Sequence, residues 1–585
     1  MHSEGTRPLT PGTDFDTPAS GAVSSPLGPS ADATERVAEG GSALTRSYTR
    51  VRAFLEPMAR PHWVLLLLVT IVLSRGITRG EPSYANDETR HVMNGVFMRD
   101  LMADMPLQHP MQYAYEYYSK YPALALPHWP PFFPFVEGLF FLVFGISFWA
   151  SRLAALTFSL LGIYFWYRIA AEHGPRSRAF FSALIFALLP AVLLFENVIM
   201  LEIPQVAMCI GAAYFAFRFL RGEKARDLWG AAAFSVAALL TSQLAIFLAV
   251  FFGLCFLMER RFSLLRRWDV WIALLTSFAI VWTWYRLSFD VLRLSYQRAV
   301  GNGFRHVFTW HDLLWYFKIL PKQLGPGLLC LCVIGLGWAL FTSAYRYRFL
   351  LIWVASAYLC FTLIAEKEPR HIMVWIAPLV YFAVLGIEVL FRRPRWVLLV
   401  SAALASYFFV AALRFDRPKV VGVEEAAQFV LSQPGSDIVY YQGSLNGDFI
   451  FYVRKFDPEK RDMVVREKQV VVSNVDYERR QVLDTSDQVL DLFQTWGIRY
   501  ALIEDDPFLQ GLDPARKLLL SDRFELVKVF PLWSNDPSFG GHTVSVYRYR
   551  GDLHRTSQLV SIPMLTIRGN IPADLSRLVG RPWPN

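Results

Sequence analysis

Residues 201–267 read LEIPQVAMCIGAAYFAFRFLRGEKARDLWGAAAFSVAALLTSQLAIFLAVFFGLCFLMERRFSLLRR. Three apolar runs, near 201–220, 229–242 and 244–258, are followed in turn by a basic cluster (Arg221, Lys224, Arg226), an uncharged turn (Thr241 to Gln243) and a second basic cluster (Arg260, Arg261, Arg266, Arg267). Apolar runs punctuated by Lys and Arg in every second loop describe helices crossing a bilayer, with the basic loops on the cytoplasmic side. The stretch opens on an acid, Glu202, at the end remote from the basic loops. A charge near bilayer depth costs at least ~2.5–3.5 kcal/mol on insertion scales, so Glu202 asks for a reason.

The pattern extends in both directions. A first apolar run begins near Trp63, and others lie near 150–171, 179–197, 269–287, 326–343, 348–364, 371–390 and 395–413. If the apolar helix at 132–146 lies along the outer interface, the loops with Arg176/Arg178, Arg346/Arg348 and Arg392/Arg393/Arg395 join the two above on one side. The N-terminal flank with Arg46, Arg50, Arg52 and Arg60 falls there too. Counting 132–146 as a span would put these clusters outside. The expectation is therefore a polytopic α-helical membrane protein of about eleven spans, N-terminus cytoplasmic and C-terminus outside. Composition and the absence of targeting motifs suggest a bacterial inner (plasma) membrane.

Composition agrees. Of 585 residues, 54% are hydrophobic and only 18% charged, with mean hydropathy +0.30. A soluble chain carries about a quarter charged residues, so this balance argues for long lipid-facing segments; collagenous, disordered and disulfide-rich secreted classes are excluded. The net charge of +9 is spread through short loops, which argues against a nucleic-acid groove. Cys209, Cys255, Cys330, Cys332 and Cys360 all sit in apolar runs and read as small core residues. Residues 1–55 are rich in Ser, Thr, Pro, Gly and Ala and read as a disordered cytoplasmic tail. The membrane domain is expected over 56–415, with a large first outer loop at 78–148, and a soluble extracytoplasmic α/β domain over 416–585. In that domain helical patterns fall at 423–433 and 486–496, and strand patterns at 437–441, 448–453, 499–503, 524–530 and 543–549. It holds no Gly-rich phosphate loop.

This topology gathers charged residues on the outer face: Asp87 and Glu88 in the first loop, Glu196 and Glu202 around the second turn, and Glu366, Lys367, Glu368, Arg370 and His371 at the fifth. Plain readings compete. Asp87 and Glu88 look equally like solvated loop acids, Glu202 like an acid at a helix N-terminus, and 366–371 like an interfacial collar with snorkelling Lys367 and Arg370. The tyrosines 113, 115, 117, 118 and 121 read as an interface belt.

Asp87-Glu88 resembles the acidic loop motif of the GT-C glycosyltransferases, the superfamily of protein O-mannosyltransferases and lipid A aminoarabinose transferases. Trp129-Pro130-Pro131-Phe132, then Leu142 to Gly145 and Trp149-Ala150-Ser151-Arg152-Leu153, resembles that family's proline-proline-aromatic segment, Phe-Gly turn and Arg-Leu helix start. Leu201-Glu202-Ile203-Pro204 is similar to its acid-x-Pro motif, and Glu368-Pro369-Arg370-His371 with Pro378 to its late Arg-Tyr-x-x-Pro segment. The resemblance covers about 60–415. Departures are Asn197 where members often have Arg, Ser242 where they have Lys, and His371 where they have Tyr. These bear on donor-phosphate recognition.

The resemblance implies inverting transfer of a sugar from a polyprenyl-phosphate carrier to an acceptor hydroxyl on protein, lipid or glycan, at the outer face of the bilayer. Physical chemistry assigns a carboxylate, Asp87, to take the hydroxyl proton, with Glu88 supporting it or orienting a sugar hydroxyl. Arg370 would stabilise the leaving phosphate, assisted by Lys367, His371 and Lys120, while Glu202 and Glu368 complete the substrate-binding set. No cofactor is expected; a divalent metal on Asp87, Glu88 and Glu202 is possible chemically but unnecessary beside Arg370. Whole-oligosaccharide transfer is the alternative within this class. A transporter is disfavoured because the acids lie at outer ends and no half-to-half repeat is visible. A non-enzymatic assembly subunit is disfavoured by the intact Asp87.

Overall fold

The computed structural model describes residues 61–585 except 83–84, 290–292, 294–308, 476–477, 506–512, 556–558, 564–569 and 580–585. The expected tail and its basic flank, with Arg46, Arg50, Arg52 and Arg60, lie outside the described residues.

Helix α1 (Pro61–Leu73) leads into the first loop, which holds α2 (Ala85–Asp104), α3 (Pro110–Lys120) and α4 (Phe132–Phe144). There follow α5 (Phe148–His173), α6 (Arg176–Leu188), α7 (Pro190–Glu196), α8 (Glu202–Gly222), α9 (Ala225–Leu239), α10 (Phe247–Glu259) and α11 (Trp268–Leu287). The membrane part ends with α12 (Trp310–Leu324), α13 (Pro326–Thr342), α14 (Ala344–Thr362), α15 (Ile376–Leu390) and α16 (Pro394–Arg414). Every expected span is helical. By length and apolarity, however, among the described residues only α5, α8, α11, α15 with its lead-in turn and α16 suffice singly. The pairs α6–α7 and α12–α13, bent by 65° and 119°, suffice together. Pro190 and Pro326 open the second helix of each pair, where a missing N–H interrupts the hydrogen-bond ladder. Helices α1, α9 and α10 have 13, 15 and 13 residues, below the ~20 of a typical span.

A chain of ion pairs fastens the basic loops into one end of the bundle. Arg178 meets Glu388 and donates to Tyr347, Arg221 meets Glu172 at 3.2 Å, Arg261 meets Glu223 at 3.0 Å and Arg348 meets Glu259. The pattern that marks one face is thus also the structure that ties its loops together. Deep in the bundle α13 and α15 touch backbone to backbone at Gly335 and Gly386. A Cβ on Gly335 would fall 1.9 Å from the Phe382 carbonyl oxygen, the small-residue crossing common between membrane helices. Of the cysteines, Cys209, Cys255 and Cys332 are buried as expected, while Cys330 is exposed.

The C-terminal region holds a five-stranded sheet of β1 (Ile438–Gln442), β2 (Met463–Arg466), β3 (Tyr500–Glu504), β4 (Phe524–Pro531) and β5 (Thr543–Tyr549) in order β2-β1-β3-β5-β4. β1 pairs parallel with β2 and β3, and β5 antiparallel with β3 and β4. Two-residue alternation sends Val439 and Tyr441 into the core shared with the helices, and Ile438 and Tyr440 into a second core. Helices α17 (Val423–Leu431) and α18 (Asn446–Phe456) lie on the first side and α19 (Ser486–Trp496) packs into the second core. The expected strand at 448–453 is a correction: it is the middle of α18. Phe449, Ile450, Phe451, Tyr452 and Val453 are all buried, so the segment lacks the polar face that separates a helical from a strand pattern. Strand β2 and the hairpin of 472–475 with 478–481 were not anticipated.

The first loop is corrected as well. Tyr113, Tyr117, Tyr118 and Tyr121 form no interface belt; all four are buried on α3 and just beyond it, and only Tyr115 is exposed. Tyr117 donates to Asp100 at 2.7 Å and Tyr121 to Asp457 at 3.2 Å. They cement the loop to the α/β region.

Candidate active site at the acid-bearing end

Asp87 and Glu88 occupy the first turn of α2, where a helix favours negative charge. Successive residues on a helix point about 100° apart, and the two acids diverge accordingly. Asp87 keeps its side chain 30% exposed, 3.5 Å from Arg90 one turn on. Glu88 is 2% exposed and accepts the Ile199 N–H at 2.9 Å. Glu88 is therefore a tie between α2 and the turn before α8, which corrects its expected place beside Asp87.

Glu202 begins α8 and meets Arg370 at 3.3 Å; Arg370 also bonds Glu368. Burial alone would depress the Arg370 guanidinium, but Glu202, Glu368 and Asp87 hold it above its ordinary value. The sequence-distant residues 87, 202, 368 and 370 thus share one electrostatic neighbourhood. The loop bearing Arg370 is braced from behind: Gln323 donates to the Pro369 carbonyl at 2.8 Å and accepts from the Trp375 indole at 3.1 Å. His371 is lowered first by burial, then by Arg370, and its buried Nδ1 has no partner. Lys367 is committed to Asp312 on α12, 3.4 Å away, and to the Ile364 carbonyl. Lys120 is corrected: it is buried, donates to the Lys460 carbonyl and lies beside Asp457 and Asp462, where burial lowers it to about 8. It serves the loop–domain contact rather than the Arg370 cluster.

Two histidines were not anticipated. His91, one turn beyond Asp87, packs at a tilt against Trp129 with ring centroids 4.0 Å apart; its Nδ1 is buried without a hydrogen-bond partner. Burial first, then Arg370, Arg90 and His128, push it well below its ordinary value, so it is a neutral imidazole. His128 lies near Asp87 and packs edge-on against Trp129. The signal was present in the quoted Trp129-Pro130-Pro131 segment, which His128 immediately precedes; nothing local marked His91.

Behind Glu88 lies a second buried set. Arg152 donates to the carbonyls of Ile77, Arg79 and Gly80, fixing the chain that leads to α2. Arg417 donates to the Arg75 carbonyl and to Asn197 Oδ1, both at 3.2 Å. A guanidinium thus reaches the side chain at 197 from a different element.

The solved structures decide the fold. The chain matches ArnT from Cupriavidus metallidurans, bound to undecaprenyl phosphate, with a TM-score of 0.55 over 84% of this chain and 98% of that one, at 16% identity. It matches an oligosaccharyltransferase of Archaeoglobus fulgidus, in complex with Zn and sulfate, at 0.51 with 10% identity, over 75% of this chain and 68% of that one. These matches give the chain a GT-C-like fold. The mycobacterial arabinofuranosyltransferase AftD matches at 0.50 with 14% identity, over 87% of this chain and 41% of its own. The sequence pattern of the dolichyl-phosphate-mannose-protein mannosyltransferase family matches residues 128–285. No curated protein matches the sequence.

In this GT-C-like fold a base candidate with solvent access (Asp87) stands near a cation held by two acids (Arg370). That pairing suits proton removal beside a developing phosphate charge. Among the described residues no group of three or more His, Cys, Asp or Glu side chains is placed to hold a metal ion.

Proposed function

We propose that the chain is an inverting glycosyltransferase that moves a sugar from a polyprenyl-phosphate carrier to an acceptor hydroxyl. Asp87 takes the hydroxyl proton as the acceptor oxygen attacks the anomeric carbon, and the bond from that carbon to the phosphate oxygen breaks. The departing phosphate gathers charge against Arg370, and Glu202 and Glu368 hold the guanidinium in place. A single base without a carboxylate nucleophile yields inversion. His91 and His371, neutral and with buried unpartnered nitrogens, supply hydrogen bonds to sugar hydroxyls. The observation that carries this reading is the convergence of Asp87, Glu202 and Glu368 on the Arg370 guanidinium.

The prenyl tail requires an apolar path. An open apolar cavity of about 780 Å³ runs between α8, α9, α10 and α11, lined by residues such as Leu220, Ala232, Val236, Phe252, Phe278 and Trp282. Its Leu239 end adjoins Leu240, whose carbonyl accepts the Phe132 N–H of the segment bearing Trp129. With the basic loops cytoplasmic, the reaction face is extracytoplasmic, in a bacterial inner membrane. The test is transfer in membranes supplied with radiolabelled polyprenyl-phosphate monosaccharides and acceptor extracts. Asp87→Asn should reduce incorporation ~10²–10⁴-fold in protein that still folds, and chelation by EDTA should leave the wild-type rate unchanged. Equal rates for wild type and Asp87→Asn would refute the assignment.

A further inference from the structure

The helices around the apolar cavity of about 780 Å³ form two hairpins, α8 with α9 and α10 with α11. Their connecting loops, 223–224 and 260–267, both close at the basic end of the bundle. Leu220, Leu228, Phe256, Leu264 and Leu265 line the cavity at this end, and Leu239 and Tyr285 at the other. Helix α11 is the wall that faces lipid, since Ala273 alone among its residues is buried. Hydrogen bonds tie it down at both ends: the Trp271 indole donates to the Leu265 carbonyl and the Tyr285 hydroxyl to the Leu239 carbonyl, each at 2.8 Å. A space with apolar walls of this kind does not hold water. In a bilayer it takes up hydrocarbon.

The acids at the basic mouth are all committed. Glu223 meets Arg261 at 3.0 Å and Arg267 at 3.7 Å, Asp269 meets Arg267 at 2.6 Å, Asp227 meets Arg218 at 3.1 Å, and Glu259 meets Arg348. Lys224, Arg260 and Arg266 are exposed, and among the described residues no acid pairs with any of them. Arg266 directly follows Leu264 and Leu265 of the cavity wall. Phe262 and Trp229 are exposed beside these cations in the chain, and Trp268 is 81% exposed. Exposed tryptophans at the ends of membrane helices mark the level of the headgroups. Positive charge without a counter-charge thus stands at headgroup depth, at the mouth of an apolar cavity.

We propose that this mouth binds an anionic phospholipid of the surrounding bilayer, with its phosphodiester headgroup on Arg260, Arg266 and Lys224 and an acyl chain in the cavity. Guanidinium forks match phosphate oxygens, and basic pockets between membrane helices suit such headgroups. A zwitterionic lipid offers the same chains but carries its own cation, so it gains less from the mouth. The cavity is the one assigned above to the prenyl tail, which enters past Leu239. The donor phosphate belongs to Arg370, so the two headgroups lie at opposite ends. Phospholipid binding does not depend on the transferase reading.

The test follows thermal unfolding of the full chain in non-ionic detergent at constant ionic strength. It is titrated with phosphatidylglycerol, with phosphatidylcholine of the same chains, and with glycerol phosphate. Phosphatidylglycerol should stabilise the wild type saturably, with an affinity at least about tenfold above that of phosphatidylcholine. Arg260→Gln/Arg266→Gln should lower this affinity about tenfold or more. Arg392→Gln/Arg393→Gln/Arg395→Gln removes three cations from a loop at the same end that does not line the cavity, and should leave the affinity unchanged. All five arginines are exposed, so neither variant disturbs packing. Ala232→Phe narrows the cavity and keeps the cations, and it should weaken phosphatidylglycerol too. Equal affinities for the two lipids, an unchanged affinity in Arg260→Gln/Arg266→Gln, or an equal loss in the triple variant overturns the site. An unchanged affinity in Ala232→Phe removes the acyl chain from the cavity, and glycerol phosphate acting as well as phosphatidylglycerol replaces the lipid with a free anion; either result overturns the proposal. The readout is binding, so absence of sugar transfer would count against the transferase alone.

Discussion

Neighbouring acids on one helix turn acquire different work because the helix separates them. Asp87 faces Arg90 and the Arg370 cluster, while Glu88 turns inward to the Ile199 N–H. Glu88→Gln keeps an oxygen that can accept this bond, so its transfer rate should stay at least about tenfold above that of Asp87→Asn; equal losses would return Glu88 to the chemistry. Arg370 is tested by geometry as well as charge. Arg370→Lys retains the cation but loses the planar fork that engages Glu202, Glu368 and a phosphate together. We expect its kcat to fall about tenfold or more, short of the loss in Arg370→Gln, in single-turnover transfer.

At the level of elements, the approach of α18 to α2 sets the position of the base. A Cβ on Gly447 would fall 1.9 Å from Thr89 Oγ1, two residues from Asp87. Gly447→Val should push α18 away, destabilise the protein by about 1–3 kcal/mol as overpacking does, and lower transfer; unfolding in denaturant beside an activity measurement checks both. What was legible in the sequence follows from the kind of signal each element carries. Helices α5, α8, α11 and α15 declared themselves through long apolar runs, and α19 and β5 through clean periodicity. The gathering of Asp87, Glu202 and Arg370 at one end followed from basic loops at the other. Helix α18 was illegible because tight packing removed its polar face, and the tyrosines of α3 because an amphipathic ring suits an interface and a domain contact equally. Lys120 could not be placed, since a lone cation in a loop says nothing of which segment, some 340 residues on, will cover it. His91 became visible only through its contact with Trp129.

Across the whole molecule, the α/β region is fixed to the first loop by buried charge. Asp100 and Arg454 are 0% and 2% exposed in their side chains, and Asp100→Asn would leave Arg454 short of its counter-charge, at a cost of about 3–5 kcal/mol. Limited proteolysis should then release the C-terminal region sooner than in the wild type. The same contact carries a pH dependence whose sign can be worked out. Glu81 lies in the connection after α1 and accepts from the Val423 and Glu424 N–H groups at the start of α17. Burial raises its carboxyl to about 8, with the two N–H bonds opposing and Glu425 adding to the rise. Asp462 is raised to about 7, first by burial and then by Asp457. A carboxyl raised on folding binds its proton more tightly in the folded state. Its contribution is complete below the ordinary carboxylate range and is lost as pH climbs toward 7 to 8. Asp100 acts oppositely: despite burial, Arg454 lowers it, so its contribution is held above the ordinary range and lost only in stronger acid. Thermal stability of the detergent-solubilised protein should therefore decline from about pH 5 to pH 8. Glu81→Gln, which retains an acceptor for both N–H groups without the titration, should flatten that decline. A decline as steep in Glu81→Gln as in the wild type would remove Glu81 as its source.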